Sequence, residues 1–194
     1  MGVQSSFGFT LGRMEKGRLN KITDVPGVRV GHVTRHEGDI NTGVTAILPH
    51  TGDMFHDKCP AASHVINGFG KSIGLVQVNE LGTIETPLLL TNTLSVGTAA
   101  TALVKYMLER NADIGCDTGT VNPMVFECND GHLNDIRGLH VTEQNALDAL
   151  ANAADDFEEG AVGAGSGMSC YSLKGGIGSA SRVFELYGNK YTVG

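Results

Sequence analysis

The sequence contains no long hydrophobic run. No window of its 194 residues approaches the roughly 18 consecutive apolar residues that a membrane-spanning helix needs. Residues 1–18, MGVQSSFGFTLGRMEKGR, also lack the apolar core of a secretory signal peptide. We therefore expect a soluble protein of the cytoplasm, with no membrane among its partners.

Basic residues are scarce as well. The chain has 14 Lys and Arg against 21 Asp and Glu, which gives a formal net charge of −7 and a pI near 5.4. No cluster of Lys and Arg stands out against this total, although a nucleic-acid surface needs such a cluster to neutralise phosphates. The composition therefore argues against nucleic acid as a partner.

Motifs for metal and nucleotide binding are missing too. The four cysteines, at positions 59, 116, 128 and 170, fall in no CxxC or zinc-finger spacing, and there is no HExxH. Buried free thiols are their expected state. The segment GFGKS at 68–72 lacks the glycine that a phosphate-binding loop requires at position 65, where valine stands. We expect neither a metal nor a cofactor.

The remaining composition is that of a globular protein. A chain of 20.4 kDa with 41% hydrophobic residues suits one domain over residues 1–194. Hydrophobic patterns predict a turn at 24–27 followed by a strand, and helices and further strands beyond it. The expected strands are 43–49, 61–66, 84–92 and a last one from 190. The expected helices are a short one in 72–81 ending near Gly82, one at 95–110 capped by Ser95, and one at 142–157 stopped by Gly160.

The segment 161–182, AVGAGSGMSCYSLKGGIGSASR, combines glycine, small hydroxyl residues and one lysine, Lys174. Glycines are used where the backbone takes a positive φ or where another group comes very close. A lysine in such a segment is a candidate site residue. The alternative is a glycine-rich hairpin with a solvated Lys174.

A second polar region lies at 118–138. Glu127 ends an apolar run, and Asn129-Asp130-Gly131 has turn chemistry, which would leave Glu127 near a strand end where binding groups are common. Glu127 could equally be an ordinary solvated carboxylate, and Asp130 a turn former. His132 is far in sequence from other histidines and fits a structural hydrogen bond better than a metal site.

The last residues, 190–194, read KYTVG. They resemble the start of a strand that is followed by no turn, cap or polar tail. We therefore expect this sequence to be one piece of a longer polypeptide.

Several motifs occur in a fixed order along the chain. They are DVPGVRVGH at 24–32, HVINGFGKS at 64–72, ETP at 85–87 with TNTLSVG at 91–97, ECNDGHLND at 127–135, and the glycine-rich segment 163–182. Together they resemble the large subunit of the DmpA-type aminopeptidases, which include L-aminopeptidase/D-esterases and β-peptidyl aminopeptidases. The resemblance covers nearly all of the chain from Gly17.

The resemblance implies an α+β fold, the DmpA/ArgJ-like four-layer αββα sandwich, similar to N-terminal nucleophile hydrolases and completed by a second subunit. It implies a precursor that cuts its own backbone before a Ser or Thr, which then heads a small subunit. It also implies a tetramer of heterodimers. The nucleophile and a helper asparagine are absent from these residues, so we expect this chain alone to be inactive.

The resemblance also implies roles for particular residues. Lys174 is the catalytic residue, a cation near the oxyanion centre. Substrate binding falls to Glu127, which anchors a free ammonium, and to Asp130, His132 and Asn92. Asn92 could instead satisfy a buried turn. His132 stands where related proteins have tyrosine, so substrate preference or pH optimum should differ there.

We therefore predict the large subunit of a self-processing serine or threonine hydrolase that removes N-terminal residues from small peptides, amides or esters. One alternative is a hydrolase of unusual amides, such as nylon oligomers or pantetheine conjugates. A different one is a non-catalytic scaffold or small-molecule-binding protein of the same fold.

Overall fold

A computed structural model describes residues 11–194 of the chain. Its strands are β1 (Arg29–Glu37), β2 (Ile40–Leu48), β3 (Cys59–Pro60), β4 (Thr83–Ile84), β5 (Leu88–Asn92), β6 (Met124–Cys128), β7 (Ser169–Cys170), β8 (Leu173–Lys174), β9 (Arg182–Leu186) and β10 (Asn189–Val193). Its α-helices are α1 (Leu75–Leu81), α2 (Val96–Arg110) and α3 (Glu143–Ala151).

The main sheet has the strand order β1-β2-β5-β6. Strands β1, β2 and β5 are antiparallel neighbours, whereas β5 and β6 run parallel. The carboxyl ends of β5 and β6 therefore meet at one edge, where Asn92 pairs with Cys128 and Thr91 with Glu127. Because β2 is antiparallel to β5, the start of β2 lies at this same edge, and polar residues from three strands converge there.

One face of the main sheet is covered by α2 and α3. The buried core between them is aliphatic and includes Val44, Ala46, Leu89, Val125, Ala99, Leu103, Ala146 and Leu150. Packing is close: a Cβ at Gly31 would lie 2.2 Å from the carbonyl oxygen of Ala149, so α3 can approach β1 only because this residue has no side chain. On the opposite face, Ile47, Leu90 and Phe126 are only half-buried.

Turn chemistry is correctly predicted at two places. Val28 donates its N–H to the carbonyl of Val25 at 3.2 Å, and Gly27 between them has a φ of 88°, as a Pro-Gly type II turn requires. Helix α1 ends at Gly82, which has a φ of 66° and donates to Val78. Both glycines allow the left-handed conformation that other residues avoid.

The predicted buried strand at 61–66 is wrong. After the short β3, the chain follows an irregular path in which Val65 is 54% and Ile66 is 94% exposed. Only Ala61 continues the pairing, by donating to the carbonyl of Gly82. The apolar residues of this loop line a cavity instead of a sheet.

The helix predicted at 142–157 is confirmed in its start and wrong in its end. Thr142 caps it by accepting from the N–H of Asn145, but the helix stops at Ala151. The chain then pairs with the edge of β1, where Val30 and Ala154 exchange two backbone hydrogen bonds of 3.0 Å. Pairing with the distant β1 segment replaces the last helical turns.

The predicted cap of α2 by Ser95 is also wrong. Ser95 directly precedes the helix, but its side chain makes no capping bond. Its hydroxyl is buried without a hydrogen-bond partner in the described part of the chain. Asn92 instead caps the 3₁₀ turn Thr93–Ser95 that leads into α2, since its Oδ1 accepts from the N–H of Ser95 at 3.0 Å.

The cysteines are free, as predicted, but they are not buried. Cys59 is half-buried and the other three are exposed, because they lie in a loop, at a strand end and in a hairpin. No helix within residues 11–194 is long and apolar enough to cross a membrane. The signal-peptide prediction concerns residues 1–18, of which 1–10 lie outside the described residues.

Candidate functional site

The glycine-rich segment folds against the main sheet. Its 3₁₀ turn, Gly163–Gly165, is fixed by two hydroxyls: Gly163 donates its N–H to Thr34 at 2.8 Å, and Ala164 donates to Thr45 at 3.1 Å. Gly163 has a φ of 52°, and a Cβ there would lie 2.4 Å from the Thr45 hydroxyl. Glycine is therefore required at this position both by conformation and by close contact.

Lys174 lies in the hairpin β7–β8 that follows. Its Nζ donates to three backbone carbonyls, those of Gly165 at 3.1 Å, Met168 at 3.2 Å and Gly175 at 2.6 Å. An ammonium has three donors, so all of them are used. Desolvation lowers the pKa of the Lys174 ammonium from its ordinary value. The segment is a glycine-rich hairpin, yet the charged group binds protein carbonyls instead of projecting freely into solvent.

These three carbonyl-bearing residues line a cavity of about 330 Å³. Its other walls come from the half-buried sheet face and from the strand end, including Leu90, Phe126, Glu127, Cys128 and Cys170. Lys174 does not line this cavity itself, but its hydrogen bonds fix the three residues that form one wall. We call this space the inner cavity.

A larger cavity of about 770 Å³ shares Phe126, Glu127 and Cys128 with the inner cavity. We call it the outer cavity. It is lined by the loop 62–72 together with Leu75, Thr93 and residues 126–129. Val65, Ile66 and Phe69 give this loop an apolar and exposed surface.

Glu127 lines both cavities, and it is the only carboxylate among the described residues that do so. Its Oε1 accepts from the backbone N–H of Lys71 at 3.1 Å, and its Oε2 accepts from the hydroxyl of Thr93. Each carboxylate oxygen can accept more than one hydrogen bond. Glu127 is therefore held in place while it keeps the capacity to bind a cationic group.

Asn92 and Asp130 belong to a buried network below this edge. Asn92 donates to the hydroxyl of Thr42 at 2.9 Å, and that hydroxyl donates to Asp130 Oδ2 at 2.6 Å. Asn134 donates to Asp130 Oδ1 at 3.0 Å. Asn92 and Asp130 are 2% and 1% exposed, and their side chains already bind protein groups, so they brace the ends of the strands. Their assignment to substrate binding stays a prediction.

His132 lies on the exposed loop after Asp130. The structure therefore brings Glu127 and the wall fixed by Lys174 to one cavity, joins Asn92 to Asp130 through Thr42, and leaves His132 in solvent.

Sequence reasoning missed Thr93 and Thr42, which hold Glu127 and Asp130. The parallel pairing of β5 with β6 is the signal that could have found Thr93, because it places the residues after both strands at one edge.

No three or more His, Cys, Asp or Glu side chains in residues 11–194 are grouped so that they could hold a metal ion. The two cavities are lined by one carboxylate, that of Glu127, together with thiols, hydroxyls, amides and the side chains of His64 and Lys71. Such a set can orient an ammonium group. Among the lining hydroxyls, that of Thr93 donates to the Glu127 carboxylate and holds it in place.

Among protein families, the model of peptidase family S58 matches residues 20–194. The chain is 42% identical over 188 residues to the β-peptidyl aminopeptidase BapA of Sphingosinicella microcystinivorans, and 38% identical to that of Sphingosinicella xenopeptidilytica. Each match covers 92% of this chain and 46% of the relative. The chain thus spans about half the length of these relatives.

Solved structures give the same result. The PH0078 protein from Pyrococcus horikoshii OT3 matches with a TM-score of 0.95 and 55% identity, covering 99% of this chain and 57% of the other. The L-aminopeptidase D-Ala-esterase/amidase from Ochrobactrum anthropi, a prototype for the serine aminopeptidases with a variant of the Ntn hydrolase fold, matches with a TM-score of 0.88 and 37% identity, covering 97% and 55%. The expected α+β fold of this type is confirmed.

Proposed function

The chain belongs to peptidase family S58, and from this we propose that it is the large subunit of a serine or threonine aminopeptidase. Its substrates are small peptides, amides or esters with a free N-terminal amine. The observation that carries the proposal is Glu127, a fixed carboxylate that faces two adjoining cavities. An ammonium bound there would make charge-assisted hydrogen bonds.

In this proposal the substrate ammonium binds Glu127 and the scissile carbonyl extends into the inner cavity. The nucleophile comes from the rest of the precursor, since the chain spans only 46% of the curated relatives. A hydroxyl needs a base, and the α-amine freed by self-cleavage supplies one on the same residue. The α-amine takes the proton of the hydroxyl as its oxygen attacks the carbonyl carbon, and it passes this proton to the leaving amine or alcohol as the scissile bond breaks. Water then hydrolyses the acyl ester in the same way and frees the hydroxyl.

The half-buried face formed by Ile47, Leu90 and Phe126 is an argument for a companion subunit that covers it. Apolar surface of this kind is stabilised when another layer covers it. We propose that the small subunit of the same precursor supplies this layer, in a tetramer of heterodimers in the cytoplasm.

Intact mass measurement of the full-length gene product tests self-processing. We expect two fragments, the smaller beginning with Ser or Thr, and hydrolysis of p-nitroanilides of L-, D- or β-amino acids. One uncut chain without hydrolysis would support the scaffold alternative. Two fragments that hydrolyse only nylon oligomers or pantetheine conjugates would support the alternative of a hydrolase of unusual amides.

The hairpin that carries Lys174 offers a separate test of the fold. Its two-residue turn joins Cys170 to Leu173, and both turn residues are non-glycine with positive φ, 50° for Tyr171 and 62° for Ser172. Replacing Ser172 by glycine should relieve this strain and stabilise the protein by about 0.5–1 kcal/mol, the part of the left-handed penalty not offset by glycine's entropy. The midpoint of urea unfolding of the full-length protein measures it.

Ser172→Ala is the matched control, because it removes the hydroxyl and keeps the Cβ that causes the strain. We expect no increase in midpoint for this variant. Equal midpoints for the glycine and alanine variants would show that the turn is not strained.

A further inference from the structure

A third cavity, of about 330 Å³, lies between the start of β1, the end of β2 and the last turn of α2. Its polar lining residues are Arg29, His50, Thr51, Asp53, Arg110 and Asn111. Pro87, just before β5, also lines it, whereas Glu127 lies beside the far end of β5. A strand of this length separates the two sites by about 15 Å, so the proposed peptidase chemistry does not use this cavity.

Arg29 is the unusual residue of the cavity. It pairs across the sheet with Leu48, so its side chain is on the face covered by helices. Its Nε is fully buried without a hydrogen-bond partner, and Arg29 forms no ion pair with any carboxylate in residues 11–194. A guanidinium stays charged at every physiological pH. Because Nε has no accessible surface, a ligand can pair only with the outer nitrogens of this guanidinium, whose side chain lines the cavity.

Arg110 supplies a second guanidinium. Its Cζ stacks 3.5 Å from the ring centroid of Tyr106, and its Nη1 donates to the carbonyl of Tyr106 at 3.1 Å. Glu109 approaches it only to 4.0 Å, and both side chains are largely exposed, so this pair contributes little. Arg110 is therefore held in one direction with most of its N–H donors still available.

The other titratable groups at the cavity are already engaged. His50 accepts at Nδ1 from the N–H of Gly52, and its Nε2 contacts the carbonyl of Asp57, each at 3.0 Å. Asp53 accepts from His56 and from the N–H of Phe55. The two guanidiniums are therefore the lining charges without a close partner, whereas Asp53 shares the imidazole of His56 with Asp113.

We propose that this cavity binds a small free oxyanion, a phosphate or carboxylate compound, through Arg29 and Arg110. The planar fork of a guanidinium matches the oxygen pairs of both groups. A bound anion would pair with the outer nitrogens of Arg29, which has no carboxylate partner in residues 11–194, and would join the β1–β2 end of the sheet to α2. The ligand is thus a stabiliser or regulator that binds away from Glu127.

The test uses the full-length protein, dialysed free of multivalent anions. Phosphate, citrate and acetate are titrated by calorimetry and by thermal melting, with sodium chloride at matched ionic strength to correct for screening. We expect saturable binding and a rise in melting temperature with at least one oxyanion and not with chloride. Saturation by phosphate alone identifies a phosphate ligand, and saturation by citrate or acetate a carboxylate ligand.

Arg29→Gln should weaken this binding at least tenfold. Lys105→Gln is the matched control, since it removes the same charge from an exposed lysine of α2 that pairs with Glu143 and should leave binding unchanged. Should the Arg29 variant fail to fold, Arg110→Lys keeps the charge, loses the fork and should also bind at least tenfold more weakly. No saturable binding, or equal binding by wild type and the arginine variants, overturns the proposal.

Discussion

Replacing Lys174 by alanine is expected to abolish both self-cleavage and turnover of the full-length protein, with a loss of at least about 100-fold in each. The ammonium joins the carbonyls of Gly165, Met168 and Gly175. Without it, three carbonyl dipoles that converge on one point lose their shared donor, and the wall of the inner cavity moves. Intact mass reports cleavage, and p-nitroanilide hydrolysis reports turnover.

Two further variants separate the possible roles of Lys174. Lys174→Met keeps much of the side-chain volume without the charge, and should be as inactive as alanine. Lys174→Arg keeps donors for the carbonyls and should recover folding and part of the activity. Because desolvation lowers the pKa of Lys174, a direct role at the reacting centre should also move the basic limb of the pH profile upward in the arginine variant. Normal rates in the alanine variant would remove Lys174 from the mechanism.

The structure favours a positioning role for Lys174 before any role at the substrate. All three of its donors bind backbone carbonyls, so stabilising an oxyanion directly would require one of these bonds to open. The sequence resemblance placed the lysine at the reacting centre, and it could not reveal the carbonyls. Two of them, Gly165 and Met168, come from the loop before the hairpin, and their approach depends on how that loop folds against β1 and β2.

Local chemistry explains which elements were predictable. The turn at Pro26-Gly27 and the stop at Gly82 depend on residues within a few positions, since the positive φ is a property of glycine itself. The strand end at Glu127 was equally local, because an apolar run gives way to Asn-Asp-Gly. Element type was therefore predictable where the determining residues are neighbours in sequence.

The wrong predictions concern elements whose structure depends on segments distant in the sequence. Hydrophobic residues at 61–66 resemble a strand, but a run of this kind does not show whether a pairing strand is available. The end of α3 depends on Val30, more than a hundred residues earlier in the chain, whose backbone pairs with Ala154. The contact of the Thr93 hydroxyl with Glu127 likewise follows from the pairing of β5 with β6.

Replacing Glu127 by glutamine should lower kcat/KM for substrates with a free amine by about 10- to 100-fold, which corresponds to the loss of one or two hydrogen bonds to a charged group. N-acetyl and desamino analogues of the same p-nitroanilides have no ammonium, so their hydrolysis should change much less. The ratio of the two kcat/KM values is the measurement, because any general damage to the site affects both substrates.

Such damage has to be measured separately, since the glutamine amide can keep its oxygen on the N–H of Lys71 only if its NH2 faces Thr93, whose hydroxyl must then accept a hydrogen bond instead of donating one. Thr93→Val is the matched control. It removes the hydroxyl that donates to Oε2 and leaves the carboxylate charge. It should therefore lower kcat/KM for both substrate classes by a similar factor. An equal loss of kcat/KM for amine and N-acetyl substrates in the Glu127→Gln variant would rule out anchoring of the ammonium by Glu127. A selective loss there, with an unchanged ratio in Thr93→Val, would attribute recognition of the free amine to the charge of Glu127 itself.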